Sequence, residues 1–188
     1  MNSGVNWDAA FDRQAARGEE VLGWCWRLLN LSPGDRVLDL GCGPGYPAGW
    51  FAERIAPGTV IAVDRDWGAL SYLHGRQSNA QVTPVLGDIR CLPFRFADPI
   101  PTLATFVLHH VDRPVDAIAG IGRVLPGGSP VIIAEYRQGA AGDVGPPLDH
   151  RISSAAICRW LDRAGFDIER ERSLPAEKFA ILARRRAP

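Results

Sequence analysis

A chain of 188 residues is long enough to bury a full core and short enough to form one domain, expected to run over 1–188. Its apolar content of 46% is that of an ordinary globular protein, and 21 basic residues against 21 acidic ones leave no net field to draw a polyanion. No apolar run reaches the roughly 18 residues needed to span a bilayer, and no secretory leader is recognisable. Cys25, Cys42, Cys91 and Cys158 are widely spaced, with no C-x-x-C pair. That spacing speaks against a zinc site or a disulfide framework and for a reducing compartment, so a cytoplasmic protein is the expectation.

In chain order, residues 1–30 read as a helical lead-in, with Val21, Leu22, Trp24, Leu28 and Leu29 at helical spacing. Leu31-Ser32-Pro33-Gly34-Asp35 is a turn that feeds the hydrophobic run Val37-Leu38-Asp39-Leu40, a buried parallel strand. Gly41, Gly43 and Gly45 follow at every second position, where the backbone can turn sharply and approach a ligand with no Cβ in the way. Pro47 suits the first turn of a helix, which Ala48, Trp50, Phe51, Ala52 and Ile55 continue to Pro57-Gly58. A second strand, Thr59–Asp64, a helix near 66–75 and a third strand, 82–88, come next. Both strands end in an acid, Asp64 and Asp88.

Asp98-Pro99-Ile100-Pro101 precedes the fourth strand, and proline cannot donate to a ladder, so regular pairing should begin only after Pro101. Residues 112–125 form a helix with Val115, Ile118, Ala119, Ile121 and Val124 facing inward. Pro126-Gly127-Gly128 breaks it before the strand 131–135. The segment 137–150, rich in Gly, Ala and Pro, is loop; Ser153 caps a helix to about Ala164, and Gly165 ends it. Two last strands, near 166–173 and 178–185, make an antiparallel pair, and Arg184-Arg185-Arg186 is a solvated end rather than a nucleic-acid patch.

The pattern Asp39-x-Gly41-x-Gly43-x-Gly45 resembles motif I of the class I S-adenosylmethionine (SAM) dependent methyltransferases. Phe106-Val107-Leu108-His109-His110-Val111 and Gly122-Arg123-Val124-Leu125-Pro126-Gly127-Gly128 are similar to that family's signatures around its fourth and fifth strands. With the two strand-end acids, the ordered segments cover roughly residues 30–186. The resemblance implies a Rossmann-like, doubly wound seven-stranded sheet, mostly parallel, with one reversed C-terminal strand and helices on both faces. Among members of the broad family, the chain is most similar to ubiquinone and menaquinone biosynthesis C-methyltransferases.

The resemblance also implies the pocket. Asp64 would accept both ribose hydroxyls, Asp88 would take the adenine amino group and Ile89 would offer its N–H to the ring. Asp39, with Gly41, Cys42, Gly43 and Gly45, would line the methionine end; Arg65, Trp67 and Thr105 complete the set, Trp67 over the adenine or ribose face. Tyr46 either touches the methionine moiety or packs against the lead-in helix. His110 is the candidate general base, with His109 packed against the sheet, and Asp149 and His150 are candidates for the acceptor side. Trp7, Phe11 and Tyr136 would form an aromatic lid. No metal is expected, and the expected partner is a small-molecule methyl acceptor, not a nucleic acid.

Two other readings stay open at this point. Gly43-Pro44-Gly45-Tyr46-Pro47-Ala48 satisfies G-x-G-x-x-A with Asp64 at the right distance, which suits an NAD(P)-linked oxidoreductase. A SAM-binding module without catalysis is the other.

Overall fold

The computed structural model describes residues 4–76, 81–142 and 144–187. Seven strands form one sheet in the order β3-β2-β1-β4-β5-β7-β6. They are β1 Arg36–Leu40, β2 Thr59–Asp64, β3 Val82–Leu86, β4 Thr102–Thr105, β5 Pro130–Tyr136, β6 Phe166–Leu174 and β7 Lys178–Arg185. The helices are α1 Trp7–Leu29, α2 Tyr46–Ile55, α3 Trp67–Arg76, α4 Pro114–Val124 and α5 Ser154–Arg163. β1 pairs parallel with β2, β2 with β3 and β4 with β5, whereas β7 runs antiparallel to both β5 and β6. This is the Rossmann-like sheet with one reversed C-terminal strand. None of the described helices is long and apolar enough to cross a membrane. The chain divides into two compact units, one ending at Asp88 and the other beginning at Ile89.

In the first unit, Val37, Leu38, Asp39 and Leu40 of β1 are all buried, the continuous run that a strand covered on both faces requires. α1 is one continuous helix. The Asn6 side chain caps its start by accepting from the Ala9 N–H at 3.0 Å, and Asn30 closes it with φ +50. The stretch Trp7–Phe11 therefore belongs to the start of α1. Val21, Leu22, Trp24, Cys25 and Leu29 are buried along this helix, and Leu28 is only partly so. Pro47 stands in the first turn of α2, as its missing N–H allows.

In the second unit, β4 begins at Thr102, directly after Pro101, and all four of its residues are buried. α4 buries Ala117, Ile118, Ile121 and Val124 together with Gly120 and Gly122, while Val115 and Ala119 are half-buried. Ile118, Ile121 and Val124 thus face inward as expected, and the buried face extends to Ala117, Gly120 and Gly122 rather than to Val115 and Ala119. A Cβ at Gly120 would lie 2.3 Å from the Ile89 carbonyl oxygen, so this face touches backbone, and counting large apolar residues misses it. Ser153 caps α5 by accepting from the Ala156 N–H at 3.2 Å, and Gly165 follows with φ +84. Arg184 pairs with Glu169 at 2.5 Å, Arg185 donates to the Gly122 and Gly165 carbonyls, and Arg186 pairs with Asp162 at 2.9 Å. The terminal arginines are thus tied to the last strands by these contacts, with Arg184 still exposed to solvent as expected.

Candidate functional site

The first unit builds a loop between β1 and α2 from Gly41, Gly43 and Gly45, with φ of +73, +54 and +89. Its N–H groups are used inside the protein. Gly41 and Cys42 donate to the Val63 carbonyl at 2.8 and 3.0 Å, and Gly45 donates to the Cys42 carbonyl at 3.1 Å. Gly43 donates to Asp64 Oδ2 at 2.8 Å. The other oxygen of Asp64 accepts from the Asp66 N–H at 2.9 Å, so this one carboxylate ties the loop to the turn after β2. Each oxygen keeps a further lone pair for a ligand hydroxyl.

Gln14 of α1 is the loop residue that sequence reasoning missed. Its Nε2 donates to the Cys42 carbonyl at 3.0 Å, and its Oε1 accepts from the Tyr46 N–H at 3.1 Å. The available signal was a polar side chain on the helical stripe of Trp7, Phe11 and Gly18. Tyr46 packs edge-on against Phe11, ring centroids 5.4 Å apart, and the Arg76 guanidinium lies 4.2 Å above the Phe11 ring. The Trp7 indole lies 3.2 Å from the place of a Cβ at Gly68, at the start of α3.

Asp39 is 1% exposed, and its Oδ2 has no hydrogen-bond partner among the described residues. Burial, and then the negative charge of Asp64, push its carboxyl up to about 7. The thiols nearby follow: burial raises Cys25 and Cys42, and the Asp39 charge adds to both. A buried carboxylate without a counter-charge is expensive, so this position demands either a proton or a cation. Stability follows the same logic. The native state keeps the Asp39 proton to about pH 7 while the unfolded chain loses it near pH 4. This contribution is full below the unfolded value and is lost as pH rises through about 7. Asp39→Asn is therefore expected to raise the melting temperature of the ligand-free protein at alkaline pH, with the gain shrinking toward pH 4. Thermal denaturation of both proteins across that range checks it, and a gain that does not vary with pH would contradict it.

The residues present fit SAM on two counts. The orphaned Asp39 oxygen suits a cationic amino-acid end, and the glycine loop passes close without side chains. A pyrophosphate fits poorly, because the loop N–H groups that would cradle it are already engaged and two carboxylates flank the loop. Arg65 is exposed, and Trp67, at the start of α3, is 69% exposed, so its indole is not a core side chain. Leu86, opposite Asp64 in the β2–β3 register, is 54% exposed. The Gly87 N–H donates to the Asp64 carbonyl at 2.9 Å, which sets the turn that carries the half-buried Asp88.

In the second unit, Ile89 and Thr105 are both 8% exposed. Phe106 takes φ +55 at the end of β4, and His109 and His110 follow in a short 3-10 turn, Leu108–His110. Glu135 of β5, 1% exposed, holds that turn: it accepts from the Leu108 N–H at 2.7 Å and meets His109 Nδ1 at 2.7 Å. His109 stacks on His110, centroids 4.1 Å apart, and meets Tyr136 edge-on at 6.2 Å; His110 is exposed. Tyr136 itself is 1% exposed on β5, so it is part of the core and not of a lid. Asp149 and His150 stand exposed on a 3-10 turn of the loop 137–150. The residue that organises this loop is one that sequence reasoning passed over. Arg151 donates to the carbonyls of Arg137, Val144 and Pro146 and pairs with Glu177 at 2.6 Å.

Residues 37–128 match the family model of a methyltransferase domain. A tRNA U34 carboxymethyltransferase of Hahella chejuensis is 33% identical over 77% of this chain and 49% of its own. A demethylmenaquinone methyltransferase of Renibacterium salmoninarum is 30% identical over 59% of this chain and 47% of its own. The chain thus spans about half the length of these curated relatives. The crystal structure of a SAM-dependent methyltransferase from Aquifex aeolicus superposes with a TM-score of 0.76 at 20% identity, covering 88% of each chain, which shows the shared fold. Fold and sequence define the class. Residues 37–128 thus carry a methyltransferase domain, on a fold shared with SAM-dependent methyltransferases.

Proposed function

We propose that this chain binds SAM in the first unit and transfers its methyl group to an acceptor. The observation that carries the proposal is the loop with its own N–H groups engaged and two carboxylates beside it, a cradle for a cationic nucleoside and not for a phosphate. Asp64 takes the ribose hydroxyls, Asp39 faces the amino-acid end and Asp88 reads the adenine. Trp67 covers a face of the nucleoside, and Gly41, Cys42, Gly43, Gly45, Tyr46 and Arg65 complete the binding set in this unit. When bound, SAM supplies an activated methyl. The acceptor lone pair forms the bond to carbon as the carbon–sulfur bond breaks, and the electron pair stays on sulfur. The protein aligns the acceptor, excludes water and, for a protonated acceptor, removes the proton. His110 and His109 are the candidate bases. The Glu135 carboxylate fixes the orientation of His109, which makes that ring the better held of the two.

The acceptor proposed is a small molecule, in keeping with the balanced net charge of the chain. The tRNA-directed relative makes RNA the alternative to test. Calorimetry with SAM, S-adenosylhomocysteine (SAH) and NADH decides the cofactor; heat with NADH alone overturns the reading. Incubation with labelled SAM and separated small-molecule and RNA fractions of a cell extract decides the acceptor. Label in the RNA overturns the small-molecule assignment, and label in neither favours a binding module without catalysis.

Asp64→Ala is expected to weaken SAM binding by about 1.5–3 kcal/mol, the scale for hydrogen bonds to a charged group. The same change frees the Gly43 and Asp66 N–H groups, so the loop should also exchange its amide hydrogens faster. Unchanged affinity in a folded variant would count against the ribose role.

A further inference from the structure

We propose that Asp39 is a proton-linked counter-charge: the cofactor's positive charge enters the site as the Asp39 carboxyl gives its proton to solvent. This rests on the SAM reading and goes beyond it, because it states in which protonation state the empty and filled sites exist.

The geometry leaves little choice. Asp39 is 1% exposed on β1, and its Oδ2 meets no donor among the described residues. Among the described residues, the ionisable groups shown to act on it or to feel its charge are the Cys25 thiol from α1, the Cys42 thiol from the glycine loop and the Asp64 carboxylate at the end of β2. None of these is a cation. Asp64 already accepts two backbone N–H groups, whereas the Asp39 Oδ2 accepts none. The carboxyl that carries the proton is therefore Asp39. The direction agrees with burial and the Asp64 charge pushing Asp39 up to about 7. A ligand that brings an ammonium or sulfonium into this site supplies the missing counter-charge. The filled site then holds Asp39 ionised, and one proton leaves for the buffer. A carboxylate-flanked site of this kind selects cations twice over, since an anionic ligand would have to enter against Asp64 and keep Asp39 protonated.

SAM carries both a sulfonium and an ammonium, and its demethylated product keeps only the ammonium. The experiment is calorimetric titration of the whole protein with each, at one pH below the Asp39 transition and in two buffers that differ in ionisation enthalpy. Proton release with both ligands assigns the ammonium as the charge recognised; release with SAM alone assigns the sulfonium. Either supports the proposal. SAM affinity should rise roughly tenfold from about pH 6 to about pH 8 and flatten above. Asp39→Asn should abolish both the release and this pH dependence, while any titration of the ligand's own ammonium remains common to both proteins. Should the variant fail to fold, carboxyl-carbon NMR of the wild-type protein serves instead. The Asp39 signal should titrate near neutrality in the free protein and stay ionised in the complex. Binding of SAM with no proton exchanged and a pH-independent affinity overturns the proposal while leaving the cofactor reading intact. Absence of binding to both ligands overturns the cofactor reading and the proposal together.

Discussion

Arg151→Ala is expected to destabilise the protein by about 3–5 kcal/mol, the range for removing one partner of a buried ion pair. The Arg151 guanidinium is wholly buried, and Glu177 keeps 17% of its side-chain surface. The substitution takes the donor from the Arg137, Val144 and Pro146 carbonyls at the same time. It also takes the charge partner from Glu177, which sits at φ +59 beside Ala176 at +51 in the turn between β6 and β7. The Glu177 carboxylate still accepts from the Gly142 N–H at 3.1 Å, a contact without the guanidinium's charge. Chemical denaturation should show the loss, and hydrogen exchange should show it concentrated in 137–150 and the β6–β7 turn. A loss below about 1 kcal/mol would mean that water replaces the guanidinium without penalty, contrary to the usual cost of an unsatisfied buried group.

Gly45→Ala should be nearly as damaging, by about 2–4 kcal/mol, the scale of overpacking with backbone strain added. A Cβ at Gly45 would lie 2.2 Å from Leu73 Cδ1, and Leu73 is 1% exposed in α3 with nowhere to retreat. The residue also takes φ +89, which L-residues rarely adopt. Gly43→Ala, at φ +54, meets only the Gln14 amide nitrogen at 2.9 Å, the far end of a flexible side chain. Its cost should stay near 1 kcal/mol, the ordinary left-handed penalty. Equilibrium unfolding of the two variants separates them, and adding Leu73→Ala should return part of the loss at Gly45 only. Equal losses at both glycines would show that conformation, not contact, dominates the loop.

The elements that carry strong local signals were legible before any coordinates. Pro101 sets the start of β4 because it has no N–H to pair, Ser153 and Gly165 bracket α5, and Val37–Leu40 reads as a strand buried on both faces. Each depends on neighbours within a few residues. The α4 face was legible only in part because a helical stripe counts apolar side chains, whereas Gly120 is buried to let the Ile89 carbonyl approach. Trp7 and Phe11 stand inside α1, behind the Asn6 cap, and their ring partners come from α2 and α3, which no local pattern marks.

The sequence by itself determined most of the strands, the glycine loop and Asp64 at the end of β2, since hydrophobic period, proline and glycine act locally, whereas Asp88 falls just past β3. Only the tertiary structure decided the partners. Gln14 reaches Cys42 across 28 positions, Glu135 meets His109 across 26 and Arg151 meets Glu177 across 26. Periodicity says which way a side chain points but not what stands opposite. The same limit applies most sharply to Asp39: an acid at a strand end is visible in the letters, while the missing counter-charge around it is a property of everything packed against it.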